Sequence, residues 1–233
     1  MPETVGLSPS EATGSVVNVC FHGIGAPRRE LEPGEAPYWI TVDTYHRVLD
    51  DLATWPAPVR ISFDDGNASD VEIGLAGLLA RGLTADFFVL AGRFGTPGSL
   101  DEPAVKELVA SGMTVGTHGM NHIPWRGLDP ATNRAELVDA RDRIAAVTGT
   151  PVDAAACPLG RYDRRLLGDL RRFGYRRVYT SDRRVADPNA WLQPRFSIRA
   201  DDTAESFRAQ ATAVPPLAER AKDAAKGLIK RWR

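Results

Sequence analysis

The sequence predicts an α/β fold of parallel strands, arranged as a barrel or an open sheet. Three observations carry this. Short apolar, β-branched runs recur seven times, segments of helical periodicity fill most of the gaps between them, and glycines stand where those segments end. At 233 residues, with 43% apolar and 25% charged residues, the chain suits one full core and leaves no room for a second enzymatic domain.

The predicted strands are 15–22, 58–63, 85–90, 113–117, 152–158, 177–180 and 192–198. Helices are predicted over 41–52, 69–81, 101–110, 130–147 and 163–173. Within 69–81, Val71, Leu75, Leu78 and Leu79 follow an i, i+4, i+7, i+8 stripe. Asp101-Glu102-Pro103 and Asp129-Pro130 pair an N-cap acid with a proline in the first turn. Gly82, Gly112, Gly149 and Gly174 sit where a helix end needs a left-handed residue. Residues 25–37, rich in Pro, Gly and charge, read as a long loop of functional character. The domain is assigned to 15–210. Beyond it, 215–233 reads as a basic amphipathic helix, either packed on the domain or in peripheral contact with a membrane or partner.

A formal net charge of −1 gives no basic field for nucleic acid or an anionic membrane, so a small or neutral partner is expected. Cys20 and Cys157 each lie in or at the end of an apolar run, as buried thiols do; redox or metal roles are the alternative. Residues 1–15 are acidic and polar where a signal peptide would be basic and then apolar, and no apolar window approaches the ~20 residues of a membrane span. A cytoplasmic location is therefore expected.

Two segments concentrate the chemistry. Ile61-Ser62-Phe63-Asp64-Asp65-Gly66 places adjacent acids at a strand end, where they point in different directions and can take different roles. Gly116-Thr117-His118-Gly119-Met120-Asn121-His122 holds two of the four histidines at i, i+4 after another strand. One carboxylate and two imidazoles make a facial metal site with open positions, catalytic rather than structural in type. If Asp65, His118 and His122 bind a divalent cation, Asp64 is free to act as a base. Read alone, the acidic pair could equally be an N-cap and turn before helix 69–81. Trp125, in the same loop as the histidines, could stack on a sugar or close the core.

Ile-Ser-Phe-Asp-Asp-Gly and His-Gly-Met-Asn-His resemble the first and second motifs of the polysaccharide deacetylase family, the NodB-homology metal-dependent de-N-acetylases of carbohydrate esterase family 4. Ala155-Ala156-Cys157-Pro158-Leu159-Gly160-Arg161-Tyr162-Asp163 resembles the third. The resemblance implies a NodB-like fold: a distorted, incomplete (β/α) barrel of about seven parallel strands. It implies Asp64 as general base and Asp65, His118 and His122 as ligands of a divalent ion, most often zinc in this family. It also implies the Leu159 backbone N–H as an oxyanion donor.

Two departures matter. The family's C-terminal Leu-x-His acid has no counterpart in Phe196-Ser197-Ile198-Arg199-Ala200-Asp201. Cys20-Phe21-His22-Gly23-Ile24-Gly25 instead resembles the first strand of the family's circularly permuted branch, which implies His22 as the acid. Ala156 stands where an arginine would orient the base, and either Arg195 or Arg161 could replace it.

The expected activity is metal-dependent removal of N-acetyl groups from an amino sugar in a glycan, a lipid-linked precursor or a nucleotide sugar. The rivals are a glycan-binding pseudoenzyme and a hydrolase of a non-sugar amide.

Overall fold

The computed structural model describes residues 14–213, and the basic helix expected over 215–233 lies outside them. From the N-terminus, β1 (Val17–Phe21) leads into a small parallel pair, β2 (Gly23–Ile24) and β3 (Trp39–Ile40), then α1 (Val42–Ala53) and β4 (Val59–Asp65). A π-helical stretch, Asp70–Leu75, runs on into α2 (Ala76–Leu79), followed by β5 (Ala85–Val89), α3 (Glu102–Ala110) and β6 (Thr114–Thr117). Next, α4 (Pro130–Arg134) continues through a π-helical stretch, Ala135–Asp139, into α5 (Ala140–Thr148), and β7 (Ala154–Ala156) follows. The described chain ends with α6 (Arg164–Arg172), β8 (Arg177–Thr180), β9 (Leu192–Pro194), β10 (Phe196–Ser197) and α7 (Ala204–Thr212). Among the described residues, no helix is long and apolar enough to cross a membrane.

The expected punctuation operates as the physics requires. Asp101 and Asp129 each accept hydrogen bonds from backbone N–H groups of the first turn, satisfying donors that the helix leaves without partners. Gly82, Gly112, Gly149 and Gly174 all have positive φ.

Eight strands form one parallel sheet in the order β10-β1-β4-β5-β6-β7-β8-β9. Its two ends are consecutive pieces of one segment: Leu192–Pro194 pairs with β8, and Phe196–Ser197 pairs with β1. The break is Arg195, whose N–H donates to Thr180 O and whose own carbonyl accepts from Arg183 N. Taken as one broken strand, Leu192–Ser197 brings the number to seven and closes a distorted barrel. All seven predicted strands are present. The sequence reading missed the β2–β3 pair and α7. The latter carries a capping box at Thr203 and Ser206 and lays Phe207 against Phe196 and Trp55, covering the seam.

Alternation along the strands sorts the two faces. Val17, Val19, Phe21, Ile61, Phe63, Phe87 and Val89 join the main hydrophobic core outside the barrel. The residues between them point inward: Asn18 meets Gln193, and Ser62 and Asp64 meet Arg195. The interior is thus polar, with Arg195 packed over the rings of Phe88 and Tyr179 at 5.4 and 5.5 Å. Small residues make room for these large ones. A Cβ on Gly116 would stand 2.5 Å from the Phe88 ring.

Candidate active site

The site forms at the C-terminal ends of the strands. Register aligns Asp65 with Val89 and Val89 with Thr117, so Asp65 and His118 finish strands two apart in the sheet at nearly one level. Asp64 continues the inward face of β4. Alternation would send Asp65 outward, but its φ of 76° and the φ of 66° at Gly66 turn the chain at the strand end. Both carboxylates consequently reach one cavity of about 340 Å³, which His22, His118, His122, Tyr38, Leu159 and Arg161 also line.

Asp65 Oδ1 lies 3.5 Å from His118 Nε2 and 3.3 Å from His122 Nε2. That oxygen is buried and has no hydrogen-bond partner. An orphaned carboxylate oxygen facing two imidazole nitrogens fits a divalent cation, since leaving it unsatisfied is costly. The far nitrogens are both engaged. His118 Nδ1–H donates to the Ala156 carbonyl at 2.9 Å, and His122 Nδ1–H donates to Glu32 Oε2 at 2.5 Å. Each bond turns an Nε2 lone pair toward the cavity. Burial pushes the His118 pKa down to about 4 despite the charges of Asp64 and Asp65, so its ring is neutral and a competent donor at neutral pH.

Asp64 is held differently. Arg195 Nη1 and Nη2 donate to its two oxygens at 2.7 and 2.6 Å, and Nη1 also donates to Ser62 Oγ at 3.0 Å. Burial alone would raise the Asp64 carboxyl. The Arg195 charge overrides it, with help from His118 and from the Arg195 hydrogen bonds, and holds the group well below the usual carboxylate range. Burial and the charges of Asp65 and Asp64 push the Asp70 carboxyl in the opposite direction, well above that range.

His22 directly follows β1 and packs against the Tyr38 ring, 4.9 Å between centroids. Leu159 is half exposed on the opposite wall, within the turn Pro158–Gly160. Arg195, not Arg161, touches Asp64; Arg161 is confined to the pocket wall. Trp125 requires a correction. It is buried in a core cluster with Leu137, Tyr162 and Leu166, and its Nε1–H donates to Glu136, so it has no face to offer a sugar. Among the described residues, non-glycine positive φ occurs at Asp65, His122, Leu159 and Arg183. Three of these four line the cavity, the distribution expected when backbone strain is kept for function.

Two acids escaped the sequence reading. Glu32, from the 25–37 loop, holds His122 and is itself paired with Arg93. Glu136, fully buried, accepts from the backbone N–H of Met120 and Asn121 as well as from Trp125, and so ties down the loop between the histidines. The only available signal for Glu136 was an acid beside the apolar stripe of helix 130–147. Glu32 gave none, being one of several acids in its loop. A larger cavity of about 460 Å³, lined by Asp86, Thr114, Arg177 and Tyr179, opens at the other end of the barrel, away from these groups.

The family model described as polysaccharide deacetylase matches residues 53–178. YxkH of Bacillus subtilis (strain 168), provisionally named a polysaccharide deacetylase, is 25% identical over 124 residues, covering 53% of this chain and 44% of that protein. The chain therefore spans under half the length of this curated relative. In fold it resembles the Streptococcus pyogenes deacetylase PplD, solved with acetate (TM-score 0.73, 18% identity, 85% of this chain and 99% of that one). It also resembles IcaB from Ammonifex degensii (TM-score 0.69, 22% identity, 86% and 98%).

Proposed function

From the premise that this chain belongs to the polysaccharide deacetylase family, we propose that it hydrolyses the N-acetyl group of an amino sugar within a glycan or glycan precursor. The observation that carries the reading is the placement of the Asp65–His118–His122 donor set beside an Arg195-clamped Asp64 in one cavity. A carboxylate with two imidazoles suits zinc, with other borderline divalent ions able to follow. When bound, the ion supplies Lewis-acid polarisation of the acetyl carbonyl and lowers the pKa of water.

The chain's own groups do the rest. Asp64, ionised and fixed by Arg195, accepts the proton of the attacking water. The Leu159 backbone N–H donates to the carbonyl oxygen as it gains charge, a contribution of ~3–4 kcal/mol for such donors. His22 then protonates the amine as the C–N bond breaks, giving acetate and a free amino sugar. Tyr38 holds the His22 ring from one side, and Arg161 offers a cation at the rim.

The direct test is acetate release from N-acetylglucosamine oligomers by protein supplied with zinc. Release that disappears in Asp65→Asn supports the reading. Tight binding of the oligomers without release would favour a binding module, and release only from non-sugar amides would move the substrate class.

A further inference from the structure

Beside the first donor set lies a second one. Cys20 Sγ, a ring nitrogen of His22 and a carboxylate oxygen of Asp64 all lie within 4.8 Å of one another. Alternation explains the grouping. Cys20, near the end of β1, and His22, just past it, occupy successive inward positions, and the register Phe21↔Phe63 brings the end of β4, with Asp64, alongside. Cys20 Sγ is 3.9 Å from His22 Nδ1. Metal–sulfur and metal–nitrogen bonds of about 2.3 and 2.0 Å at a tetrahedral angle put the two atoms about 3.5 Å apart, so the pair need close by only a few tenths of an ångström. Arg195 takes one lone pair on each Asp64 oxygen and leaves a second on each.

We propose that Cys20, His22 and Asp64 form a second, sulfur-containing cation site for soft divalent ions such as cadmium or excess zinc, and that filling it switches off hydrolysis. The switching-off clause rests on the function proposed above; the site itself does not. Thiolate selects softer ions than the sulfur-free Asp65–His118–His122 set, so the two sites sort ions by chemistry. Coordination replaces the thiol proton, which leaves to solvent, and no electron changes hands. An ion held there takes the lone pairs with which Asp64 would accept a proton and His22 would carry one. The Cys20 side chain is fully buried, so the ion enters from the cavity past His22.

The experiment titrates cadmium chloride into protein already holding one equivalent of zinc. It follows the ultraviolet thiolate-to-cadmium charge-transfer band, the metal content after gel filtration, and acetate release. A second equivalent that arrives with the band and abolishes release is the expected result. Cys20→Ser should lose the band and the second equivalent while keeping the first, which also shows that the variant is folded; Cys20→Ala gives the same reading should the serine hydroxyl disturb the barrel. Asp65→Asn should keep the band, and so should Cys157→Ser. The site is overturned if wild type shows no band, if the band survives both Cys20 variants, or if it vanishes in Cys157→Ser. Release that persists at two equivalents overturns the switch. No release at one equivalent, with the band behaving as expected, leaves the site standing and removes the deacetylase reading instead.

Discussion

Arg195 grips both oxygens of Asp64 from the one residue at which the barrel's closing strand breaks, 131 positions further along the chain. Removing one member of such a buried pair leaves an uncompensated charge, at a cost of about 3–5 kcal/mol. Arg195→Met should therefore lower the urea midpoint substantially. The sign of its pH dependence follows from the depressed Asp64 carboxyl. The stabilisation is fully present above the unfolded carboxylate value of about 3.9 and is lost as pH falls through the lower folded value. Without the guanidinium, burial raises the Asp64 carboxyl of the variant, which neutralises itself as the solution is acidified. The gap between wild type and variant should thus be widest at high pH and narrow progressively as pH falls.

A cation held by Asp65, His118 and His122, as proposed, would bind the folded chain and not the unfolded one. At 100 times its dissociation constant it adds about 2.7 kcal/mol, which for a chain of this size raises Tm by about 5–10 °C. Differential scanning fluorimetry with zinc and then with chelator should show this shift and its reversal. His118→Ala/His122→Ala should show neither, and elemental analysis should find it without metal.

Glu32 fixes the orientation of His122 through its Nδ1–H, and partners of this kind account for 10–100-fold in metal affinity. Glu32→Gln should weaken zinc binding by about that factor in a competition titration with a chromophoric chelator. Saturating zinc should restore most of the turnover. Failure of zinc to rescue would assign Glu32 a role beyond positioning.

Asp64→Asn should still bind zinc, since Asp65, His118 and His122 are untouched, and lose about 10²–10⁴ in kcat with the proton acceptor. It should also lower the urea midpoint, because the buried Arg195 then faces a neutral amide. His22→Ala should lose a comparable factor on an acetylated sugar amine but much less on an acetanilide carrying a nitro group, whose electron-poor nitrogen needs less proton transfer as the C–N bond breaks. Equal losses on both substrates would take the acid role away from His22.

What the sequence disclosed depends on the range of each interaction. Seven strands, five helices and the caps at Asp101 and Asp129 were legible because alternation, helical stripes and turn residues are local. The clustering of Asp65, His118 and His122 was legible for a related reason: adjacent acids at one strand end and paired histidines at another can meet when the strands are parallel and close in the sheet. Choosing between Arg195 and Arg161 needed the barrel's closure, a relation between β1 and the last strand that no short window contains. Glu32 and His122 stand 90 residues apart and meet only because the 25–37 loop folds over the strand ends. Trp125 resembled a platform because an aromatic in a histidine loop can face either way; Glu136, buried in the π-helical stretch Ala135–Asp139, decides it. The helix α7 was overlooked because it buries little beyond Phe207 and Ala211.

The split closing strand also sets an order on biosynthesis. β1 leaves the ribosome long before one of its two neighbours in the sheet, Phe196–Ser197. Until that segment emerges β1 keeps an open edge, and Asp64 lacks the guanidinium of Arg195. Contacts of such long sequence separation form slowly and late. A chain truncated before Arg195 would thus lack both its final seam and the counter-ion of its buried aspartate, so incomplete products have no means of assembling a working centre.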